Sequence, residues 1–246
     1  SEKALANVKD FVDQGGNMVI LGEYERSENM NSLGALFGVH FSDGVLARPN
    51  KLGSPVVLCA SYTDEAVEKH SAFNRMQAWG YGVSVPTAVA LDYSQVKDFE
   101  VYPVLVTGDS AWIEHETKDM VDGEFVCNPA AGEKEGNYAV LINLSRKIGD
   151  KEQRIIISGD SDFITNEEFG LTRPGMEVNN FEVITGSFRW LSYDAYPIYT
   201  DRIEAIDNGI DLSGGWRVWI KLFFMILFPA FLVGTGVTII YRRQRK

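Results

Sequence analysis

Cysteine, histidine and, over most of the chain, basic residues are scarce. The 246 residues include two cysteines and three histidines. Six of the 23 basic residues and none of the acidic ones fall in residues 216–246, so residues 1–215 carry 17 basic against 34 acidic groups, a formal net charge of −17. Two cysteines do not make a disulfide scaffold. An acidic body of this kind repels phosphate backbones, which excludes nucleic-acid binding as its function.

Several motifs that carry catalytic or cofactor chemistry are also missing. The chain has no Gly-x-x-x-x-Gly-Lys-Ser/Thr loop, no His-Glu-x-x-His block, no Cys-x-x-Cys pair and no calcium-loop pattern. We therefore expect no metal site and no cofactor, and any ATP hydrolysis would belong to a partner. Residues 1–30 show no basic stretch followed by an apolar one, and the chain begins with Ser1. This start indicates the C-terminal portion of a longer polypeptide, or a processed form.

The longest apolar run lies near the C-terminus. Residues 222–241 contain no ionisable side chain except the terminal tyrosine, and 20 helical residues span about 30 Å of hydrocarbon. We predict a transmembrane helix over 218–241, with Trp219 and Tyr241 at the two membrane interfaces. A buried core helix is the alternative that this run leaves open.

Charge on either side of this run predicts the topology. The basic tail at 242–246, which includes Arg242 and Arg243, follows the run directly, whereas the preceding sequence is rich in acidic residues. Positively charged flanks stay on the cytoplasmic side of a membrane. We therefore expect a single-pass protein of the cytoplasmic membrane, with its tail in the cytoplasm near membrane lipid and its large domain outside.

The body, residues 1–191, has the pattern of an α/β domain. A helical spacing of apolar residues over 5–12 precedes a short apolar strand at 18–21, and apolar strand-like runs then alternate with amphipathic segments as far as residue 191. The interpretation is an open, mostly parallel sheet flanked by helices. Residues 192–217 are predicted to form a juxtamembrane stalk.

Two predicted strand ends carry the same short polar motif. Gly108-Asp109-Ser110 and Gly159-Asp160-Ser161-Asp162 each follow an apolar strand and a hydroxyl residue. Ligands of parallel sheets collect at the carboxyl ends of strands, so the predicted ligand-binding residues are Asp109, Ser110, Asp160, Ser161 and Asp162. The alternative is local capping, since Asp and Ser often cap the next helix and Thr165 with Glu168 fits a capping box.

Nucleophilic catalysis finds little support in the sequence. A Gly-Asp-Ser block is similar to that of GDS-type esterases, in which Ser110 or Ser161 would attack an acyl carbon. Those enzymes take their catalytic base from an Asp-x-x-His block near the end of the domain, and here no histidine follows Ser161. Cys59 follows a strand but lacks the glycines of a strained nucleophile turn. No catalytic residue is predicted, and a membrane-anchored serine hydrolase remains the alternative function.

Three segments together carry a family resemblance: Phe11–Leu21, Asn31–Val39 and Ile155–Asn166, followed by a helix ending at Trp190-Leu191 and a C-terminal membrane helix with a basic tail. In these features the chain resembles the GldG family, gliding-motility-type auxiliary components of ABC transporters. The resemblance implies a class I glutamine amidotransferase-like or flavodoxin-like fold. It also implies a non-catalytic subunit that works with an ABC permease and a separate ATPase, and a sugar or peptide ligand by fold analogy.

Overall fold

The computed structural model describes residues 2–49, 53–120, 123–173, 175–196 and 214–245. The chain divides into two compact units, Ser1–Ile198 and Tyr199–Lys246. The first is a mixed α/β unit, and the described part of the second is helical. Of the predicted stalk, residues 197–213 lie outside the described residues.

The α/β unit contains six described helices and nine described strands, besides short 3-10 turns. The helices are α1 (Glu2–Asp13), α2 (Ser27–Gly34), α3 (Asp64–Lys69), α4 (Ser71–Ala78), α5 (Asn166–Gly170) and α6 (Asn180–Leu191). The strands are β1 (Met18–Leu21), β2 (His40–Ala47), β3 (Val57–Tyr62), β4 (Val83–Pro86), β5 (Val89–Asp92), β6 (Glu100–Val106), β7 (Trp112–Glu114), β8 (Ala139–Ile148) and β9 (Lys151–Ser158).

The described strands form a six-stranded sheet and a three-stranded sheet. The larger has the order β1-β9-β8-β6-β3-β4, and the smaller has the order β5-β2-β7. In the larger sheet β1 and β9 run parallel, whereas every other described neighbouring pair is antiparallel. The smaller sheet is antiparallel throughout. The α/β class is therefore confirmed, but the prediction of a mostly parallel, flavodoxin-like sheet is wrong.

Short connections explain the antiparallel order. Strands β8 and β9 are joined by Gly149 and Asp150, and Gly149 adopts a φ of 59°. A two-residue turn can join only antiparallel neighbours, since parallel strands need a crossover of a dozen residues or more. The apolar stretch 83–91, which has the composition of a single strand, is interrupted at Thr87, which has a φ of 52°. Its two halves, β4 and β5, belong to different sheets.

The larger sheet is covered on both faces. One core cluster joins Phe73 and Met76 of α4 and Val183 of α6 to strands β3, β6 and β8. The other joins Val12 of α1 and Phe41 of the smaller sheet to the opposite face. The α/β unit is thus a three-layered structure, with helices on one face of the larger sheet and a helix and the smaller sheet on the other.

The described part of the second unit, residues 214–245, is one continuous helical segment. It comprises α7 (Gly214–Leu222), a π-helical turn at Phe223–Leu227 and α8 (Phe228–Gln244). The π-turn ends two residues before Pro229. In a regular α-helix the proline ring clashes with the carbonyl four residues back, here that of Met225 within the π-turn, and such a turn relieves that clash. Among the described residues, one helix, Val218–Gln244, is long and apolar enough to cross a membrane, with a mean hydropathy of 2.3 over its most apolar window.

Candidate functional site

The candidate site is the end of the parallel strand pair. Leu21 of β1 lies opposite Ser158 of β9, and the Gly22 N–H donates to the Ser158 carbonyl at 2.7 Å. Because parallel strands end at the same edge, the residues after them meet: Glu23 after β1, and residues 159–162 after β9. The Ser161 hydroxyl donates to Glu23 Oε2 at 2.7 Å and joins the two segments.

Asp160 is buried in this turn. It is 2% exposed, and its backbone N–H donates to Ser158 Oγ at 3.2 Å. Its Oδ1 accepts the backbone N–H of Asp162 at 2.8 Å, so one oxygen stabilises the turn, although the 3-10 turn that follows has no side-chain cap. Its Oδ2 is buried and has no hydrogen-bond partner among the described residues.

One half of the predicted capping box, the Thr165 cap, forms one element further on; the Thr165 N–H donates to the Asp162 carbonyl at 2.9 Å and not to Glu168. Thr165 Oγ1 accepts the backbone N–H of Glu168 at the start of α5, at 3.3 Å, which confirms the Thr165 cap. The Glu168 side chain is buried and pairs with Arg173, Nη2 contacting Oε1 and Nε lying 3.3 Å from Oε2. The start of α5 is therefore fixed by a side-chain cap, and an ion pair joins α5 to the segment that follows it.

Burial and like charge perturb the acids of this turn. Burial is the largest cause that holds the pKa of Asp160 well above its usual range, and the nearby carboxylates of Asp162 and Glu23 act in the same direction. Burial also raises the pKa of Asp162, followed by the charges of Glu23, Glu168 and Glu167. We infer that Asp160 is protonated over a pH range in which an ordinary carboxyl is ionised.

Replacing Asp160 with asparagine should stabilise the folded protein at neutral pH. The folded-state pKa is raised, so the protonated carboxyl stabilises the fold below about pH 4, and that contribution is lost as the pH rises toward the folded pKa. The asparagine side chain keeps an acceptor for the Asp162 N–H and carries no charge. We expect the gain at pH 7 to be about 1–3 kcal/mol, the cost of a poorly satisfied buried polar group, and to shrink toward pH 4.

Urea unfolding followed by circular dichroism between pH 4 and pH 8 measures this effect. The matched control is Asp109→Asn, since Asp109 belongs to the other Gly-Asp-Ser motif and is exposed. A gain that is equal at every pH, or a less stable Asp160→Asn protein at pH 7, would contradict the ionisation argument.

The first Gly-Asp-Ser motif lies at the same edge of the sheet but in different surroundings. Strands β6 and β9 are both antiparallel to β8, which lies between them, so their carboxyl ends share an edge two strand spacings, or about 10 Å, apart. Asp109 and Ser110 are exposed, and the Gly108 N–H donates to Asn137 Oδ1 at 2.8 Å. The structure thus groups Asp160, Ser161 and Asp162 with Glu23, and it leaves Asp109 and Ser110 on the surface.

Glu23 is the residue that the sequence analysis missed. Its signal is present in the chain, because Glu23 follows a short apolar strand just as Asp160 does. The pairing of β1 with β9 brings the two residues together although they lie 137 positions apart. Without the strand order, nothing in the sequence associates them.

The described hydrogen bonds of the His70 side chain are to residues outside the candidate site. His70 Nε2 lies 2.6 Å from the Tyr102 hydroxyl, and the Asn143 amide donates to the same hydroxyl at 3.0 Å. Burial, followed by the charges of Arg154 and Lys69, lowers the pKa of His70 to about 4. His70 is therefore a half-buried, neutral imidazole that is hydrogen-bonded to Tyr102.

Neither cysteine is disulfide-bonded. Cys59 and Cys127 are both free and half-buried. Burial raises the pKa of the Cys59 thiol, which disfavours the thiolate that a nucleophile requires. Among the residues that the structure describes, no three histidine, cysteine or acidic side chains converge closely enough to hold a metal ion.

The predicted membrane anchors lie on the helical unit. Trp219 and Tyr241 are exposed at 67% and 56%, and the large apolar residues between them are exposed as well, from 36% at Ile220 to 75% at Met225. Arg242 and Arg243 fall in the last turn of α8. The Arg245 guanidinium donates to the Tyr241 hydroxyl at 2.8 Å and lies 4.6 Å from the centre of its ring. A single helix with an apolar surface on all sides is suited to lipid rather than to water.

Comparison with known proteins does not identify a family for this chain. No family model matches the chain, and no curated protein matches it.

Proposed function

We propose that this chain is a non-catalytic auxiliary subunit of an ABC-type transport system, related to the GldG family. Its acidic α/β unit lies outside the cytoplasmic membrane, and its helical unit spans that membrane. The observation that carries the proposal is the combination of an acidic α/β unit with one apolar helix, Val218–Gln244, that ends in a basic tail.

Charge supports the orientation. Residues 242–246 contain four basic groups and no acid, and the positive-inside preference places such tails in the cytoplasm. Anionic lipid attracts each of these groups by about 1 kcal/mol. The far side of the membrane then holds the acidic unit, in the position of a subunit that meets cargo or a permease before transport.

The test is recovery of partners from native membranes. The full chain, tagged and extracted in mild detergent, is expected to purify with a permease and an ATPase in constant ratio. A variant in which Val218–Gln244 is replaced by an unrelated membrane helix of equal length separates binding through the helix from binding through the α/β unit. Recovery of neither subunit with the native chain overturns the proposal.

Protease access tests the topology independently. Trypsin added to sealed spheroplasts is expected to cut the α/β unit and to spare the tail. If the α/β unit resists trypsin until the membrane is opened, the orientation is the reverse of the one proposed.

One observation favours the alternative, a membrane-anchored serine hydrolase. The Ser161 hydroxyl donates to Glu23 at 2.7 Å, within the reach that a general base needs. A fluorophosphonate probe distinguishes the two functions. Labelling that is lost in both Ser161→Ala and Glu23→Gln, but kept in Ser110→Ala, would establish the hydrolase and displace the transport subunit.

A further inference from the structure

Helix α6 has two apolar faces. Val183 and Gly186 are buried, and a Cβ built on Gly186 would meet Phe73 of α4, so one face packs inside the α/β unit. The other face repeats at the three- and four-residue spacing of a coiled-coil seam, at Phe181, Ile184, Phe188 and Leu191. Phe181 and Phe188 are 63% and 50% exposed. A surface helix needs only one apolar face, so the second leaves a large apolar area in water.

Strand β1 forms an open edge of the larger sheet. In the described part of the chain its one strand neighbour is β9. The Gly22 N–H donates to the Ser158 carbonyl, so alternate residues of β1 bond to β9, whereas the backbone N–H and C=O groups of Val19 and Leu21 point away from it. Edge strands usually carry charge or proline, which prevents pairing, and Met18–Leu21 has neither. A further strand can therefore add to β1.

The apolar face of α6 and the edge of β1 belong to one surface. The Asn17 side-chain amide, just before β1, donates to the Leu191 carbonyl at 2.8 Å, so α6 ends where β1 begins. Val19 and Phe188 line one groove between the two elements, and none of its described lining side chains is charged. The Phe169 ring packs on Phe181 and the Tyr196 ring packs on Phe188, each with ring centres 6.2 Å apart. The exposed apolar residues of this surface are called here the α6–β1 patch: Val19, Ile164, Phe169, Phe181, Phe188 and Tyr196.

The α6–β1 patch is large enough for a stable protein interface. Its four aromatic side chains are each about half exposed, so together they offer about 400 Å² of apolar surface. A standard interface takes about 800 Å² from each partner, of which about 500 Å² is apolar. The patch approaches that value once Val19 and Ile164 are added.

Charge favours a second copy of the chain as the occupant. Residues 1–215 carry a net charge of −17, yet the charged neighbours of Phe181 and Phe188 in the sequence are already in ion pairs, Glu182 with Arg75 and Arg189 with Asp194. Two acidic units can therefore meet at this patch without opposing unpaired like charges. A basic partner would gain nothing from so neutral a surface, and an anionic membrane would repel the acidic unit.

We propose that the α6–β1 patch binds a second copy of the chain about a two-fold axis. A second copy supplies a strand edge and an apolar helix face at the same spacing, so one rotation matches both features. The two β1 strands pair antiparallel, and the two α6 helices pack along their exposed faces. The pairing that uses both free backbone positions places Val19 of one copy opposite Leu21 of the other. The proposal does not depend on the transport assignment.

Sedimentation equilibrium of the full chain in density-matched detergent, at about 1–100 μM, tests the proposal. A reversible dimer is expected. Phe188→Glu places a charge in the apolar interface, and Val19→Pro removes a free N–H while leaving the bonds to β9, since proline is tolerated where the N–H of an edge strand faces solvent. Each variant should raise the dimer Kd about 10-fold or more. The control is Val126→Glu, which adds the same charge at an apolar residue that is 63% exposed elsewhere, and it should dimerise as the unmodified chain does. Circular dichroism checks that all three variants are folded.

Four outcomes overturn the proposal. A monomer at every concentration excludes the dimer, and a dimer that either folded variant leaves intact forms through another surface, such as the apolar helix. An equal loss in Val126→Glu indicates general charge repulsion. The last outcome is recovery from native membranes of a constant-ratio complex with a different protein that Phe188→Glu dissociates, because the patch then belongs to that partner. If that partner is a permease, this proposal fails and the transport assignment stands.

Discussion

Gly159→Ala is expected to destabilise the α/β unit by about 3 kcal/mol or more. A Cβ built on Gly159 lies 2.0 Å from the Val89 carbonyl oxygen, a backbone atom that no side-chain rotation can move away. Gly159 also links the two sheets: its N–H donates to Val140 of β8 at 2.7 Å, and its carbonyl accepts from Val89 of β5 at 2.9 Å. Relief of the clash therefore separates the smaller sheet from the larger one.

Gly108→Ala is the matched control for this variant. Gly108 occupies the same place in the first Gly-Asp-Ser motif, but nothing in the described part of the chain lies within 4 Å of a Cβ built on it. Its φ of 84° makes a side chain unfavourable by about 1 kcal/mol. In urea or thermal unfolding, the Gly159→Ala protein should therefore be much less stable than the Gly108→Ala protein. Similar stabilities for the two variants would show that β5 does not approach Gly159 as described.

Two arginines in the apolar helix should abolish membrane integration. Arginine near the centre of a spanning helix costs about 2.5–3.5 kcal/mol in insertion experiments, so Leu232→Arg with Val237→Arg costs about twice as much. The full chain should then be extracted from membranes by alkaline carbonate, whereas the unmodified chain stays in the pellet. The protein should therefore move from the membrane pellet to the carbonate supernatant.

Alanine at the same two positions is the control. Leu232→Ala with Val237→Ala shortens the side chains and leaves the helix uncharged, so the chain should remain in the carbonate-resistant fraction. If the arginine variant also remains there, the helix packs against protein instead of lipid. In that case the buried-helix alternative regains support, and the topology must be established anew.

The sequence located strands but did not determine how they pair in the sheets. Apolar runs at 18–21 and 101–106 correspond closely to β1 and β6, because a run of buried apolar residues is a local signal. The same runs carry no information about the direction of a neighbour. Gly149-Asp150, between two apolar runs, is a local hairpin signal, and it corresponds to the turn between β8 and β9.

Some features of the candidate site could likewise be predicted from the sequence, and others could not. The Gly-Asp-Ser-Asp turn after β9 and the Thr165 cap were both visible in the sequence, since each depends on residues within a few positions. The two Gly-Asp-Ser motifs look equivalent in sequence, yet one is on the surface and the other holds a buried acid. Burial depends on what packs above a turn, and here that is β5, which comes from a distant part of the chain.

The sequence by itself determined the apolar helix, the basic tail after it and the acidic character of the body, because length, hydropathy and charge are sums over neighbouring residues. Only the tertiary structure decided that Glu23 meets Ser161 and that Asp160 loses contact with water. Those contacts join residues more than a hundred positions apart, and their formation depends on strand order, which is set by the packing of the whole unit.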